Sequence, residues 1–141
     1  MPMIDVYAPA DLFPADADAQ LGTELTRAVL RAEGHTEPVI SPFFTENTVA
    51  FVHRLPMVTT AASPSVRAVR VQIVTPPDSL DREGQRQITR EASEIVSRIA
   101  GGDAVATWVI LTEAAEGGWG IGATAFGKQE FAALAARATG N

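Results

Sequence analysis

The sequence predicts an α+β fold in which a tandem βαβ repeat forms one four-stranded sheet with two helices on one face. Three observations lead to this prediction: the chain repeats itself, each copy contains an amphipathic helical segment, and strand-like runs flank that segment. The repeat is visible at residues 8–11 (APAD), which return 67 residues later at 75–78 (TPPD). Because strand, helix and strand in sequence form a right-handed parallel crossover, each copy is one βαβ unit.

The two predicted helices carry their apolar residues at matching positions. The spacing i, i+4, i+7, i+8 and i+11 describes one face of an amphipathic helix. These positions are Leu21, Leu25, Ala28, Val29 and Ala32 in the first copy, and Ile88, Ala92, Ile95, Val96 and Ile99 in the second. A glycine follows each helix at the matching place, Gly34 and Gly101. This agreement in phase indicates a duplicated unit.

Strands are predicted at 3–8, 48–53, 70–75 and 107–112, and the first strand of each copy has two different faces. One face is apolar and suited to packing under the helices. The other face is half-polar, with Met3, Asp5 and Tyr7 in the first copy and Arg70, Gln72 and Val74 in the second. A half-polar face in the middle of a sheet is typical of a surface that lies against another subunit, although a solvated face remains the alternative.

The chain is predicted to be a single domain over 1–141, with repeat halves at about 2–56 and 69–126. The segment 57–68 is rich in Thr, Ala, Ser and Pro, and we interpret it as the connection between halves, because one half alone buries too little apolar surface. The first half is longer, and its extra residues at 36–47 include Pro38, Pro42, Phe43 and Phe44, which predict an ordered loop over a pocket or interface. A short helix is predicted at 128–137.

Composition excludes several classes of function. The chain has 17 acidic and 11 basic residues, a formal net charge of −6 and no cysteine. The lack of cysteine rules out disulfide, thiolate-zinc and iron–sulfur sites, and His35 and His53 lack the spacing of a zinc site, so we expect no metal or other cofactor. Scattered basic residues predict neither a nucleic acid nor a membrane partner. With no apolar run long enough for a span, we expect a cytoplasmic protein.

Chemistry is best sought at the amino terminus, where Pro2 directly precedes the first predicted strand. A small second residue permits removal of the initiator methionine, which would leave Pro2 as a free secondary amine. An apolar or cationic surrounding disfavours the ammonium form and lowers the pKa of such an amine toward neutrality. Pro2 would then be a usable general base.

The sequence resembles the tautomerase superfamily, whose members use an amino-terminal proline as catalyst. The start MPMIDV, the tandem βαβ repeat and the run 108–122 (WVILTEAAEGGWGIG) are similar to the 4-oxalocrotonate tautomerase group, in which an aromatic residue precedes Gly-Ile-Gly. The resemblance implies the tautomerase and macrophage migration inhibitory factor (MIF) type of fold in a fused, double-length subunit that assembles as a homotrimer. It also implies that Pro2 is the base and that Trp119 lines the active site. Val69, the repeat partner of Pro2, is internal and has no free amine.

The sequence departs from the family pattern where substrate-binding arginines are expected. Leu12 and Ser79 stand in place of the arginine that follows the first strand. Cationic candidates for the substrate carboxylate are Arg54, at the end of the second strand, and Arg70, expected beside Pro2 on the mixed face.

Three further residues are candidates for the site. Trp108 is a candidate pocket residue, while Glu46 and His53 are candidates for an acid or for orienting water. Each has a simpler interpretation, as a packed tryptophan, a surface glutamate and a histidine at a strand end.

Three functions remain open. The favoured one is an isomerase in which Pro2 catalyses keto–enol tautomerisation of a small 2-oxo acid or related enol. The second is a dehalogenase, hydratase or decarboxylase of the same superfamily, in which protonated Pro2 acts as acid while a carboxylate activates water. The third is a trimeric binding relic without catalysis. A free Pro2 amine that faces a pocket would separate the first two from the third.

Overall fold

The computed structural model describes residues 1–36, 40–102 and 104–139, and for 138–139 it describes the backbone alone. Pro38, part of the loop predicted at 36–47, lies outside the described residues. Within them the chain forms six strands and four helices. In chain order these are β1 (Met3–Pro9), α1 (Asp18–Ala32), α2 (Pro42–Glu46), β2 (Val49–Leu55), β3 (Ala68–Thr75), α3 (Arg82–Ile99), β4 (Ala106–Glu113), β5 (Trp119–Ile121), β6 (Thr124–Phe126) and α4 (Lys128–Thr139).

The main sheet has the strand order β2-β1-β3-β4. β1 and β2 are parallel, as are β3 and β4, so each half is a βαβ unit, as the repeat predicts. The two halves join through β1 and β3, which run antiparallel with Met3 opposite Val74 and Tyr7 opposite Arg70. The start of one half therefore lies at the opposite end of the sheet from the start of the other.

Both long helices pack on one face of this sheet and form the core with it. The sheet contributes Ile4, Val6, Val71 and Ile73, all fully buried. The predicted apolar faces of α1 and α3 are buried against them, and among the fully buried helical side chains are Leu21, Leu25, Val29, Ile88 and Val96. Burial of each such side chain contributes roughly 1.5–3 kcal/mol, so this interface accounts for the fold without disulfides.

The opposite face of the sheet is the half-polar face that the strand pattern predicts, and we call it the mixed face. At its centre Asp5, Tyr7 and Gln72 are half-buried and Arg70 is exposed. Both edge strands add large exposed apolar side chains, namely Val49 and Phe51 on β2 and Trp108 and Ile110 on β4. In a single chain this face leaves an apolar margin on either side of a polar centre.

The backbone reverses after each long helix at the glycine that the repeat predicts. Gly34 has φ 92° and Gly101 has φ 89°, in the left-handed region where a side chain is disfavoured. In the first half this reversal ends α1 and returns the chain toward the start of β1.

The chain ends in a hairpin, β5 paired with β6, followed by α4. Trp119, Phe126 and Phe131 form an aromatic cluster between the hairpin and this helix. Lys128 at the start of α4 pairs with Asp78 in the turn after β3. These contacts hold the hairpin against the end of the sheet where β3 and β4 finish.

None of the helices in the described part of the chain is long and apolar enough to span a membrane.

Candidate active site

One end of the sheet, which we call the Pro2 edge, brings together the start of β1 and the ends of β3 and β4. Pro2 directly precedes β1, its side chain is fully buried, and its carbonyl accepts a hydrogen bond from the Val49 backbone N–H at 3.4 Å. The hairpin begins at the same edge, because the Ala114 N–H donates to the Thr75 carbonyl at 2.9 Å. Pro2 is thus held rigidly at the head of a central strand.

Met1 fills the space in front of Pro2 and is itself only 8% exposed. Its amino nitrogen lies 3.9 Å from Oε2 of Glu33, the residue that follows α1. Burial lowers the pKa of this amine, and the nearby Glu33 carboxylate opposes that shift. Burial at this end of the sheet therefore disfavours the charged form of the Met1 amine.

Glu33 is a buried acid, with 4% of its side chain exposed. Its Oε1 atom is buried and makes no hydrogen bond with the described residues. Burial raises the pKa of Glu33, while the amino-terminal charge and the Ser79 hydroxyl act in the opposite direction. Buried carboxylates without full pairing are costly, so this group needs an explanation beyond packing.

His35 completes the local surroundings of the amino terminus. Its ring packs on Phe44 of α2 with ring centroids 4.1 Å apart. Burial lowers the pKa of His35, and the positive amino terminus lowers it further. Phe44 of α2 therefore lies against His35 at this edge.

Sequence reasoning missed Glu33 and did not place His35 in the site. One signal was available, because Glu33 is an acidic residue at the carboxyl end of a helix. The helix dipole favours a cation at that end, so an acidic side chain there needs a separate reason.

Trp119, the aromatic residue that the family resemblance implies, is 7% exposed. Its ring meets Phe131 edge-on at a centroid distance of 6.1 Å. The hairpin that carries Trp119 begins at the Pro2 edge. Among the described residues, however, its aromatic ring contact is with Phe131 of α4. Its place in the active site stays a prediction.

Arg70 and Trp108 lie at the far end of the sheet from Pro2, which corrects the expectation that Arg70 lies beside it. Arg70 is opposite Tyr7, five residues along β1, which is about 16 Å of extended strand. The reason is the antiparallel pairing of β1 and β3. Arg70 and Trp108 instead line a cavity of about 280 Å³ beside Val69. We call this end the Val69 edge.

Arg54 has a structural role that occupies its whole guanidinium group. Its Nε and Nη2 donate to Oδ1 of Asp18 at 3.0 and 2.8 Å. Nη1 donates to the carbonyls of Ala10 and Phe13, and Nη2 donates to that of Pro14. The side chain therefore closes the turn between β1 and α1, and no donor is left for a substrate carboxylate.

The structure separates His53 from Glu46. His53 Nε2 lies 2.7 Å from Oδ1 of Asp5, and its ring stacks on Tyr7 at 4.3 Å. The Arg70 guanidinium carbon lies 4.2 Å from the centroid of the Tyr7 ring. Glu46 is exposed at the end of α2. His53 thus belongs to a row of side chains across the mixed face.

In the described ranges no group of His, Asp and Glu side chains is arranged to hold a metal ion.

Comparison with known proteins identifies the fold. No family model and no curated protein matches the sequence. Among solved structures, Pt0534 inactivated by 2-oxo-3-pentynoate has a TM-score of 0.72 at 14% identity, covering 90% of this chain and 97% of that one. A symmetric trimer of fused 4-OT also gives 0.72 at 14% identity, with coverages of 92% and 98%. A MIF-like protein from Entamoeba histolytica gives 0.70 at 14% identity, with coverages of 89% and 98%.

These likenesses extend over almost the whole of each chain, so the double-length fold that the resemblance implies is confirmed. The chain has the α+β fold of fused 4-OT and MIF-like proteins.

Proposed function

We propose that the chain is a cofactor-independent isomerase of the tautomerase superfamily. Pro2, freed by removal of Met1, is the general base in keto–enol tautomerisation of a small 2-oxo acid or related enol. The observation that carries the proposal is the buried position of Pro2 at the head of β1, next to a Met1 amine whose pKa is lowered by burial. A base with a pKa near the working pH is the most effective one.

Removal of Met1 has two consequences for this site. It converts the Pro2 amide, which has no basic lone pair, into a secondary amine. It also vacates the buried space that Met1 fills, so a small substrate can reach that amine. The proposal therefore makes the loss of Met1 the step that creates both the base and its pocket.

We further propose a homotrimer in which the mixed faces of three copies meet. The polar centre with apolar margins on both edge strands supports this arrangement, because Phe51, Trp108 and Ile110 are left exposed in one chain. A fused 4-OT structure of the same fold is a trimer. Arg70 and Trp108 are far from Pro2 of their own chain, so any role as substrate-binding residues is across a subunit boundary. Trp119 lines the pocket from its own or a neighbouring hairpin.

A hydratase, dehalogenase or decarboxylase is the second candidate, because Glu33 supplies a carboxyl group near the amine. Such a reaction needs the carboxylate form to activate water. Burial raises the pKa of Glu33, which favours the protonated form instead. This difference favours the isomerase.

The test compares three forms of the protein on enols of 2-oxo acids, with phenylpyruvate enol as the first substrate. The forms are processed protein, protein that retains Met1 and processed protein acetylated at Pro2, with each terminus verified by intact mass. Processed protein should accelerate ketonisation, and the other two should not. Pro2→Ala, which leaves a primary amine, should keep a fraction of the rate. Equal rates in all three forms would remove Pro2 from the mechanism, and no turnover by processed protein would favour the binding relic.

A further inference from the structure

We propose that Glu33 is the second catalytic group of the Pro2 site, the acid that protonates the substrate carbonyl oxygen while Pro2 removes the proton from the adjacent carbon. This inference rests on the proposed function of Pro2. Its starting point is a group that the fold does not otherwise need, a glutamate buried next to the amino terminus with one carboxyl oxygen left without a hydrogen bond.

The geometry fits a substrate between the two groups. Glu33 Oε2 lies 3.9 Å from the Met1 nitrogen. Neighbouring backbone nitrogens are roughly 3–4 Å apart by standard bond lengths, so Glu33 lies no more than about 8 Å from the Pro2 nitrogen. A carbonyl group and its α-carbon span such a gap when each end is within hydrogen-bonding or near-attack distance of its partner, about 3 Å. Met1 occupies this space before processing.

The surroundings suit the role of an acid. The Oε1 atom has no hydrogen-bond partner among the described residues, so it is available to a ligand in the vacated space. Burial raises the pKa of Glu33, so a proton is retained at higher pH than on an exposed glutamate. The second half of the chain has Ala100 at the matching repeat position, and that half has no terminal amine. Acid and base thus occur together in one half.

The proposed step balances in protons and electron pairs. The lone pair of neutral Pro2 takes the α-proton, and the C–H electrons form the C=C bond of the enol. The carbonyl π electrons take the Glu33 proton, which leaves a carboxylate and a Pro2 ammonium. Water relays one proton from Pro2 back to Glu33, and ketonisation is the same step in reverse.

The experiment measures kcat and KM for enolisation of phenylpyruvate across pH in processed wild type, Glu33→Gln, Glu33→Asp and the control Glu94→Gln. Glu94 is an exposed residue of α3 and matches the change from carboxyl to amide. A general acid contributes at least about 100-fold, so we expect Glu33→Gln to lower kcat by about that factor with little change in KM. Wild type should lose activity at low pH as Pro2 protonates and at high pH as Glu33 ionises.

A loss of the alkaline limb in Glu33→Gln, with the limb retained in Glu33→Asp, supports the inference.

Two results would overturn the inference. A folded Glu33→Gln variant with kcat within about threefold of an active wild type would remove Glu33 and leave the Pro2 mechanism intact. An inactive processed wild type would overturn both proposals together.

Discussion

The Pro2 edge and the Val69 edge occupy matching positions in the two halves of the repeat, but they differ in chemistry. Pro2 and Val69 are both buried at the head of a central strand. Beside Pro2 lie a buried acid and a residue that processing can remove, whereas beside Val69 lies a cavity lined by Arg70 and Trp108. The two strand heads share their backbone position and burial, but Val69 is internal, so of the two only Pro2 can carry a backbone amine. Under the proposed function, the comparison teaches that reactivity depends on the covalent state of Pro2 more than on its packing.

The largest expected effect comes from blocking the amine at the Pro2 edge. Acetylation of Pro2 should lower the rate of enol ketonisation by about 100- to 10,000-fold, because an amide nitrogen can neither accept nor return the proton. Val69→Ala is the matched change at the other edge. It should lower stability by about 1–2 kcal/mol through lost packing and leave the rate within about threefold. A comparable loss of rate in both would contradict the difference between the edges.

Arg54 offers the next largest effect, and it concerns stability. Arg54→Ala should lower the free energy of unfolding by about 2–3 kcal/mol, because three carbonyls and the Asp18 carboxylate lose their donor. Arg86→Ala is the control, since Arg86 is 63% exposed and pairs loosely with Glu83, and it should change stability by less than about 0.5 kcal/mol. Urea unfolding measures both. A change in KM without a change in stability would return Arg54 to the list of substrate ligands.

The two tryptophans sharpen the comparison further. Trp119→Ala should lower kcat/KM about tenfold, since the proposal places this ring at the Pro2 pocket. Trp108→Ala, at the other edge, should change kcat/KM less than about threefold unless a neighbouring subunit brings it to the site. Sedimentation of both variants is the control for assembly. If Trp119→Ala leaves turnover unchanged, that ring only packs against Phe131.

The smallest effect is the pH dependence of stability in protein that retains Met1. Burial raises the pKa of Glu33 above its unfolded value of 4.5. Its contribution is therefore fully present below that value and is lost as pH rises through the folded pKa. Glu33→Gln should remove this loss. The free energy of unfolding of the variant relative to wild type should therefore rise by on the order of 1 kcal/mol between pH 4 and pH 7. The Met1 charge offsets part of the effect. Parallel urea midpoints for Glu33→Gln and wild type would contradict it.

The fold could be predicted from the sequence because the repeat supplied the same signals twice. The apolar faces of α1 and α3 and the alternation in β1 and β3 are local patterns, and the structure has them as predicted. The extra residues of the first half hold a short helix, α2, over the same edge as His35.

The site was harder to predict because it depends on tertiary contacts between residues far apart in the sequence. The expectation that Arg70 lies beside Pro2 needs the direction of β3 relative to β1, and a list of strands does not contain that direction. Glu33 looks like a solvated residue at a helix end until the fold buries it. Arg54 looks like a free cation until the turn before α1 folds around it. Burial and pairing of charged groups are therefore the part that sequence patterns leave undetermined.

The most direct test of the central claim is covalent labelling with 2-oxo-3-pentynoate, the compound that inactivated the structurally similar Pt0534. A free amine adds to such an alkynyl ketone, and the protein gains the mass of the reagent. Peptide mapping of processed protein should find one adduct, on Pro2, together with loss of enol turnover. Protein that retains Met1 should not be labelled on Pro2. An adduct elsewhere with Pro2 unmodified, or full activity after Pro2 is labelled, would contradict the assignment of Pro2 as the base.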